Sequence, residues 1–205
     1  MSSFDKNVFI NCPFDDDYRQ LLLALVFTTK FLGYVPRLTL EKSDSGISRI
    51  AHIVELIKSS KFGIHDLSRI LSSKEDEHAR MNMPFELGID YGCRQFKTGK
   101  WSGKKILILE KEKYRYQAAL SDLSGSDIKN HDNEPMELVR AVRDWFVNEE
   151  LNTGPSHKKI WYDFNDFSAD LADRLTDQGY EPSDYDHVQI SEVMAYMDIW
   201  FANGT

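Results

Sequence analysis

The sequence predicts an α/β protein: an open parallel sheet covered by helices on both faces, with a C-terminal helical appendage. Three observations predict it. Short apolar runs alternate with amphipathic segments of helical length, as when parallel strands are joined by crossover helices. The 205 residues are enough for one good-sized core. An apolar content of 41%, with twelve Phe, nine Tyr and four Trp, excludes a disordered chain.

The elements follow in order. Val8–Asn11 is a short apolar strand, and the Asp-rich loop after it leads into a helix over Tyr18–Leu32 that Gly33 ends. Val35–Leu40 is the second strand, closed by the turn residues Asp44, Ser45 and Gly46. Ile47, Ile50, Ile53, Val54 and Ile57 recur with a period of about 3.6, an amphipathic helix with Ser48 placed to cap it. Phe62–Asp66 is the third strand, and the polar stretch Leu67–Arg80 is a surface loop or lid. A helix opens near Pro84, whose missing N–H is no loss in a first turn. Lys104–Leu109 is the fourth strand, a short fifth lies near Ser126–Lys129, and Leu138, Val139, Val142, Trp145 and Phe146 mark a helix between Glu134 and Glu150. Residues 1–151 therefore form the α/β domain, and Asn152–Ser156 reads as a linker. Residues 157–205 form a helical extension: a helix over Asp166–Gln178 stopped by Gly179, then one that Asp186 and Gln189 open as a capping box, with Ile190, Val193, Met194, Met197, Trp200 and Phe201 on one face. Two such helices are too little to fold alone, so they pack on the domain or on a second protomer.

Charge and composition narrow the function classes. A net charge of −8 disfavours nucleic acid as a partner, because neutralising phosphates needs a basic surface. Between Arg94 and Arg115 the chain is nonetheless basic (Arg94, Lys97, Lys100, Lys104, Lys105, Lys111, Lys113), which is either solvated surface or a rim for a phosphate-bearing ligand. Cys12 and Cys93 give neither a disulfide framework nor a zinc spacing, and both sit in apolar contexts that predict buried thiols. No apolar run approaches the ~20 residues that cross a bilayer, and Met1–Lys6 lacks a signal-peptide pattern. A cytoplasmic protein without a membrane partner is expected.

The helix near Pro84 carries the chemistry. Phe85, Gly88, Ile89, Gly92, Cys93 and Phe96 share one face, which predicts the packed side, with Gly88 and Gly92 allowing close approach to the sheet. Glu86 would then sit in the first turn just after a buried strand, where the helix dipole keeps a carboxylate ionised. Such a group suits cleavage of an N-glycosidic bond. If Met83 is the N-cap, however, Glu86 stands three residues on and merely caps its own helix.

Asn82-Met83-Pro84-Phe85-Glu86-Leu87-Gly88 resembles the Asn-Pro-Asn-Val-x-x-Glu-Leu-Gly type of motif of prokaryotic TIR-like (Toll/interleukin receptor-like) proteins and the related nucleoside 2-deoxyribosyltransferases. Pro84 and Met83 stand where the family more often has Asn and Val. Val8–Phe14 with Asp15–Asp17 and Tyr18 also looks like that superfamily's first strand and loop. Over roughly residues 7–150 the resemblance implies a flavodoxin-like sheet, with Glu86 as the catalytic carboxylate acting at a ribosyl C1′. It further implies NAD as substrate rather than cofactor, no other cofactor, and a place in anti-phage defence or nucleotide signalling.

In an open parallel sheet the ligand site lies outside the carboxyl ends of the strands. Asn11, Phe14, Arg37, Ser45, Gly46, Asp66 and Asn82 fall there with Glu86 and make the candidate binding set, with no metal. Each has a plainer reading beside it. Asp66 orients ribose hydroxyls or Glu86, or else caps the next turn; His65 is a packed, hydrogen-bonded histidine rather than a base. Arg37, with Ser45 and Gly46, holds a phosphate or else pairs with Glu41 or Asp44. Phe14 stacks on a base or belongs to the core. Asp15–Asp17 with Asp66 admit a receiver-type Mg²⁺ site, but the same acids complement a helix dipole.

Cleaving a ribose–base bond passes through an oxocarbenium-like state that one carboxylate can stabilise. Nicotinamide leaves NAD⁺ without needing a proton, so no second acid is required. Two further functions fit the same crevice: a non-catalytic nucleotide sensor or scaffold, and a deoxyribosyltransferase. In each the C-terminal helices are available for self-association or a partner protein.

Overall fold

The computed structural model describes residues 4–41, 44, 46–70 and 81–204. Five parallel strands form one sheet in the order β2-β1-β3-β4-β5: β1 (Asn7–Asn11), β2 (Val35–Arg37), β3 (Phe62–Asp66), β4 (Lys105–Glu110) and β5 (Lys129–Asn130). This is the open, flavodoxin-like parallel arrangement that the alternating pattern predicts. β1 and β3 pair with Asn11 beside His65, and β3 pairs with β4 so that Asp66 lies beside Leu109.

Side-chain alternation sorts the sheet's two faces. Val8, Ile10, Phe62, Ile64, Leu107 and Leu109 point into the large core, under α1 (Arg19–Phe31) and α4 (Pro135–Phe146). On the opposite face Phe9 meets α2 (Arg49–Lys58), and Ile108 meets Met83 and Leu87 of α3 (Asn82–Phe96). At the middle of that second face the strands offer Asn11, Gly63 and His65 instead of large apolar groups. The polar chemistry of α3 is built there.

The C-terminal chain forms α5 (His157–Asp177) and α6 (Ile190–Ala202), and both cover α1. Phe27 of α1 meets Phe164, Phe167, Trp200 and Phe201 with ring centroids 5.1–5.6 Å apart. Arg19 Nη2 donates to the carbonyls of Val188 (2.7 Å) and Tyr185 (3.2 Å). The apolar run Leu21–Thr29 explains the arrangement: α1 is buried on the sheet side and again on its outer side, where α5 and α6 take the place of water.

Several expectations are corrected. α5 starts nine residues before Asp166, because Ser156 caps it by accepting from the Lys159 N–H at 3.2 Å. No capping box forms at Asp186–Gln189; it forms at Glu181 and Asp184, around a short helical turn that precedes α6. β2 ends at Arg37, and β5 begins only at Lys129. Ser48 stands at the N-cap of α2 but makes no side-chain capping bond. Gly179 ends α5 with φ +88°, as its place in the sequence predicts. Among the described residues no helix is long and apolar enough to cross a membrane.

Candidate functional site

Chain connection reverses direction between β1 and β3, so the carboxyl ends of these two strands flank the crevice of the fold. Asn11 and Cys12 arrive from β1, His65 and Asp66 from β3, and Glu86 from α3. Arg49, at the start of α2, is near enough to lower the Glu86 pKa electrostatically.

Asp66 is the best-satisfied acid of this edge. Its Oδ2 accepts from Tyr18 Oη at 2.5 Å and from His131 Nε2 at 2.9 Å, and its Oδ1 accepts from the Ser68 N–H at 2.8 Å. His131 Nδ1 accepts from the Asn133 N–H at 3.2 Å, which puts the ring proton on Nε2, toward Asp66 and Ser68. Burial opposes ionisation of Asp66, but the hydrogen bonds from His131, Ser68 and Tyr18 outweigh it and hold the carboxyl below its usual range. Ser, His and Asp are neighbours here without forming a nucleophilic triad, since Ser68 and Asp66 share one ring nitrogen.

α3 turns inward only part of the face that its apolar periodicity predicts, Ile89 and Cys93, which pack against the Phe9 cluster. Met83, Glu86, Leu87 and Asp90 are buried, whereas Phe85 and Phe96 are exposed and a Cβ at Gly88 would meet open space. The physical reason is the sheet itself: Gly63 and His65 present a polar floor that carboxylates fill better than phenyl rings. The helix is capped at Met81, so Glu86 is its fifth residue and not part of a first-turn capping box. Glu86 is 5% exposed and has no hydrogen bond or ion pair among the described residues. Burial pushes its carboxyl pKa up, and the Arg49 charge offsets this only in part. The expectation that the helix dipole dominates and favours the ion is therefore corrected. Four residues on, Asp90 is compensated on both oxygens: Oδ2 accepts from His65 Nε2 at 3.1 Å, and Oδ1 forms an ion pair with Lys104 Nζ at 3.1 Å without a hydrogen bond.

The other expected residues divide. Asn11 is buried in the site, with its amide donating to the Met83 carbonyl at 2.9 Å. Phe14 packs against the main core, the plainer of its two readings. Arg37 Nε sits 3.1 Å from both Glu41 carboxylate oxygens, so its internal ion pair forms. Gly46 donates to Asp44 Oδ1 in an exposed turn, and Asn82 is an exposed first residue of α3. Ser45 lies outside the described residues, as do residues 71–80 of the expected lid. Arg69 pairs with Asp15 at 3.2 Å and lies 3.9 Å from Asp17, so a cation occupies the place that a receiver-type metal would need. Cys12 is buried and Cys93 half-buried, both as free thiols.

Sequence reading missed His131, Tyr18, Asp90 and Lys104 as parts of this edge. Two signals pointed at them: a glycine in the middle of strand β3, and a second acid four residues after Glu86 on the same helical face. Lys104, grouped with surface lysines from its neighbours in sequence, has a fully buried side chain. A cavity of about 520 Å³ lies on the other side of α3, between Leu87, Tyr91, Ile106 and Leu123. Charged groups such as Arg94 and Asp127 also line it, and Glu86 does not. No protein-family model matches the chain, and neither curated proteins nor solved structures give a significant match.

Proposed function

We propose that the protein is an N-glycosidase that cleaves the nicotinamide–ribose bond of NAD⁺ or a related nucleotide, with Glu86 as the reacting carboxylate. One observation carries the reading. Glu86 is a buried acid at the carboxyl edge of the sheet without a partner among the described residues, while the buried acids beside it, Asp66 and Asp90, are bonded. A buried carboxylate without partners costs stability, and groups kept on such terms concentrate at functional sites. The motif resemblance around Asn82–Gly88 points to the same residue.

The engaged neighbours shape the chemistry. Asp66 and Asp90 are committed to internal bonds, so the site supports a reaction that needs one carboxylate. In NAD⁺ the C1′–N bond breaks with its electron pair going to the nicotinamide ring, which leaves neutral and needs no proton. Glu86 stabilises the positive charge that develops on the ribose. Water then bonds to C1′ and releases a proton to solvent. By analogy with TIR-like proteins, such an activity serves defence or nucleotide signalling in the cytoplasm. A second reading is favoured by the raised pKa of Glu86: a protonated carboxyl would assist departure of a base from a deoxynucleoside.

Incubation of the protein over a range of concentrations with NAD⁺, NADP⁺ and deoxynucleosides, followed by chromatography of released bases, tests the proposal. Free nicotinamide is the expected product. Base exchange among deoxynucleosides alone selects the second reading, and the absence of any released base contradicts both.

A further inference from the structure

The geometry points to Asn11, His65, Asp90 and Lys104 as positioning residues that hold Glu86 in place by gripping α3 on both sides of it. This inference rests on the reading of Glu86 as the reacting carboxylate. The four side chains form one buried chain of contacts. Lys104 Nζ donates to the Ile57 carbonyl at 2.9 Å and to the Ser60 carbonyl, and forms an ion pair with Asp90 Oδ1 at 3.1 Å. Asp90 Oδ2 accepts from His65 Nε2 at 3.1 Å. His65 Nδ1 accepts from Asn11 Nδ2 at 3.1 Å, and the second amide proton of Asn11 goes to the Met83 carbonyl at 2.9 Å. Asn11 is 3% exposed, and the side chains of His65, Asp90 and Lys104 have no exposure.

Both ends of this chain therefore close on α3. Asn11 holds the helix three residues before Glu86, and Asp90 holds it four residues after, a span of about 10 Å at 1.5 Å per residue. Between two such tethers α3 cannot slide or roll on β1 and β3 without breaking a buried bond. The sheet is shaped to admit the chain: a Cβ at Gly63 would collide with Asp90 Oδ2 and come within 2.9 Å of His65 Nε2. Stability alone does not explain such a build, because a buried ion pair is often no more stable than apolar residues of similar volume. What it supplies is a fixed register for Glu86, which has no hydrogen bond or ion pair among the described residues.

The test uses Asn11→Ala and the isosteric Asn11→Asp, which keeps the shape but has no proton to donate to Met83. Hydrogen exchange is followed at the amides of Glu86, Leu87 and Gly88, alongside nicotinamide release. Exchange at these amides is expected to rise at least tenfold while α5 is unchanged, and kcat is expected to fall by about 100-fold with KM within twofold, the size of effect a 1 Å misplacement produces. A second variant, Asp90→Asn with Lys104→Met, removes the other grip without leaving a buried charge unpaired. It is expected to keep a near-native melting temperature and still show faster exchange and lower kcat. Unchanged exchange in folded Asn11 variants, or in the double variant, overturns the positioning role whether or not the protein turns over NAD⁺. Native exchange changes without any turnover in the unmodified protein would instead sink the glycosidase reading alone.

Discussion

Glu86 and Asp90 are acids one helical turn apart on the same buried face of α3, and the fold treats them in opposite ways. Asp90 meets a lysine and a histidine within 3.1 Å, while among the described residues Glu86 has only the longer-range influence of Arg49. The lesson is that burial by itself does not mark a functional acid. What separates the two is whether the protein supplies the compensation that a buried charge requires. Where it does, the acid belongs to the scaffold; where it does not, the acid is the one that the proposed function assigns to a ligand.

The comparison breaks most visibly at Asp90. Asp90→Ala leaves the Lys104 ammonium buried without its counter-charge and is expected to cost about 3–5 kcal/mol of stability, measured by urea denaturation. A loss below about 1 kcal/mol would mean that the pair carries no such burden. Asp66 gives a smaller effect with a pH signature. Asp66→Asn weakens the acceptor shared by Tyr18, His131 and the Ser68 amide, and about 1–3 kcal/mol is expected. Because the folded pKa of Asp66 is depressed, its contribution is present above the ordinary Asp pKa of about 3.9 and is lost as pH falls through the folded value. The variant should therefore lose less stability than the unmodified protein on acidification, which thermal melts from pH 7 to pH 3 would read.

Glu86 sits at the small end of the scale. Its folded pKa is raised, so at neutral pH it carries the penalty of an ion held in a poor environment. Glu86→Gln removes that penalty and is expected to match or exceed the unmodified protein's melting temperature at pH 7. The advantage should vanish below the unfolded Glu pKa of about 4.3.

Much of the scaffold was readable in advance and the polar interior was not. Phe62–Asp66 is a strand with the bounds its apolar run predicts, and Leu138, Val139, Val142, Trp145 and Phe146 are buried on α4 as their spacing requires. These succeed because periodic burial of apolar groups is a local signal. The inward face of α3 fails for the complementary reason. Phe85 and Phe96 look like core in a helical projection, and only the unseen partner surface of Asn11, Gly63 and His65 makes Glu86 and Asp90 the better fit. The start of α5 fails likewise, since its first two turns are mostly polar and are fixed by the Ser156 cap and by Ile160, Phe164 and Phe167 reaching the core. The place of Glu86 near the start of a helix was legible in the sequence, but its lack of a hydrogen bond among the described residues was not, because an absent bond leaves no trace in a sequence.

The most direct measurement is nicotinamide release from NAD⁺ by the unmodified protein and by Glu86→Gln, compared at a temperature where both are folded. The account predicts that release falls by at least about 100-fold in the variant. Release at the unmodified rate from a folded Gln variant would contradict it, and would return Glu86 to the scaffold alongside Asp90.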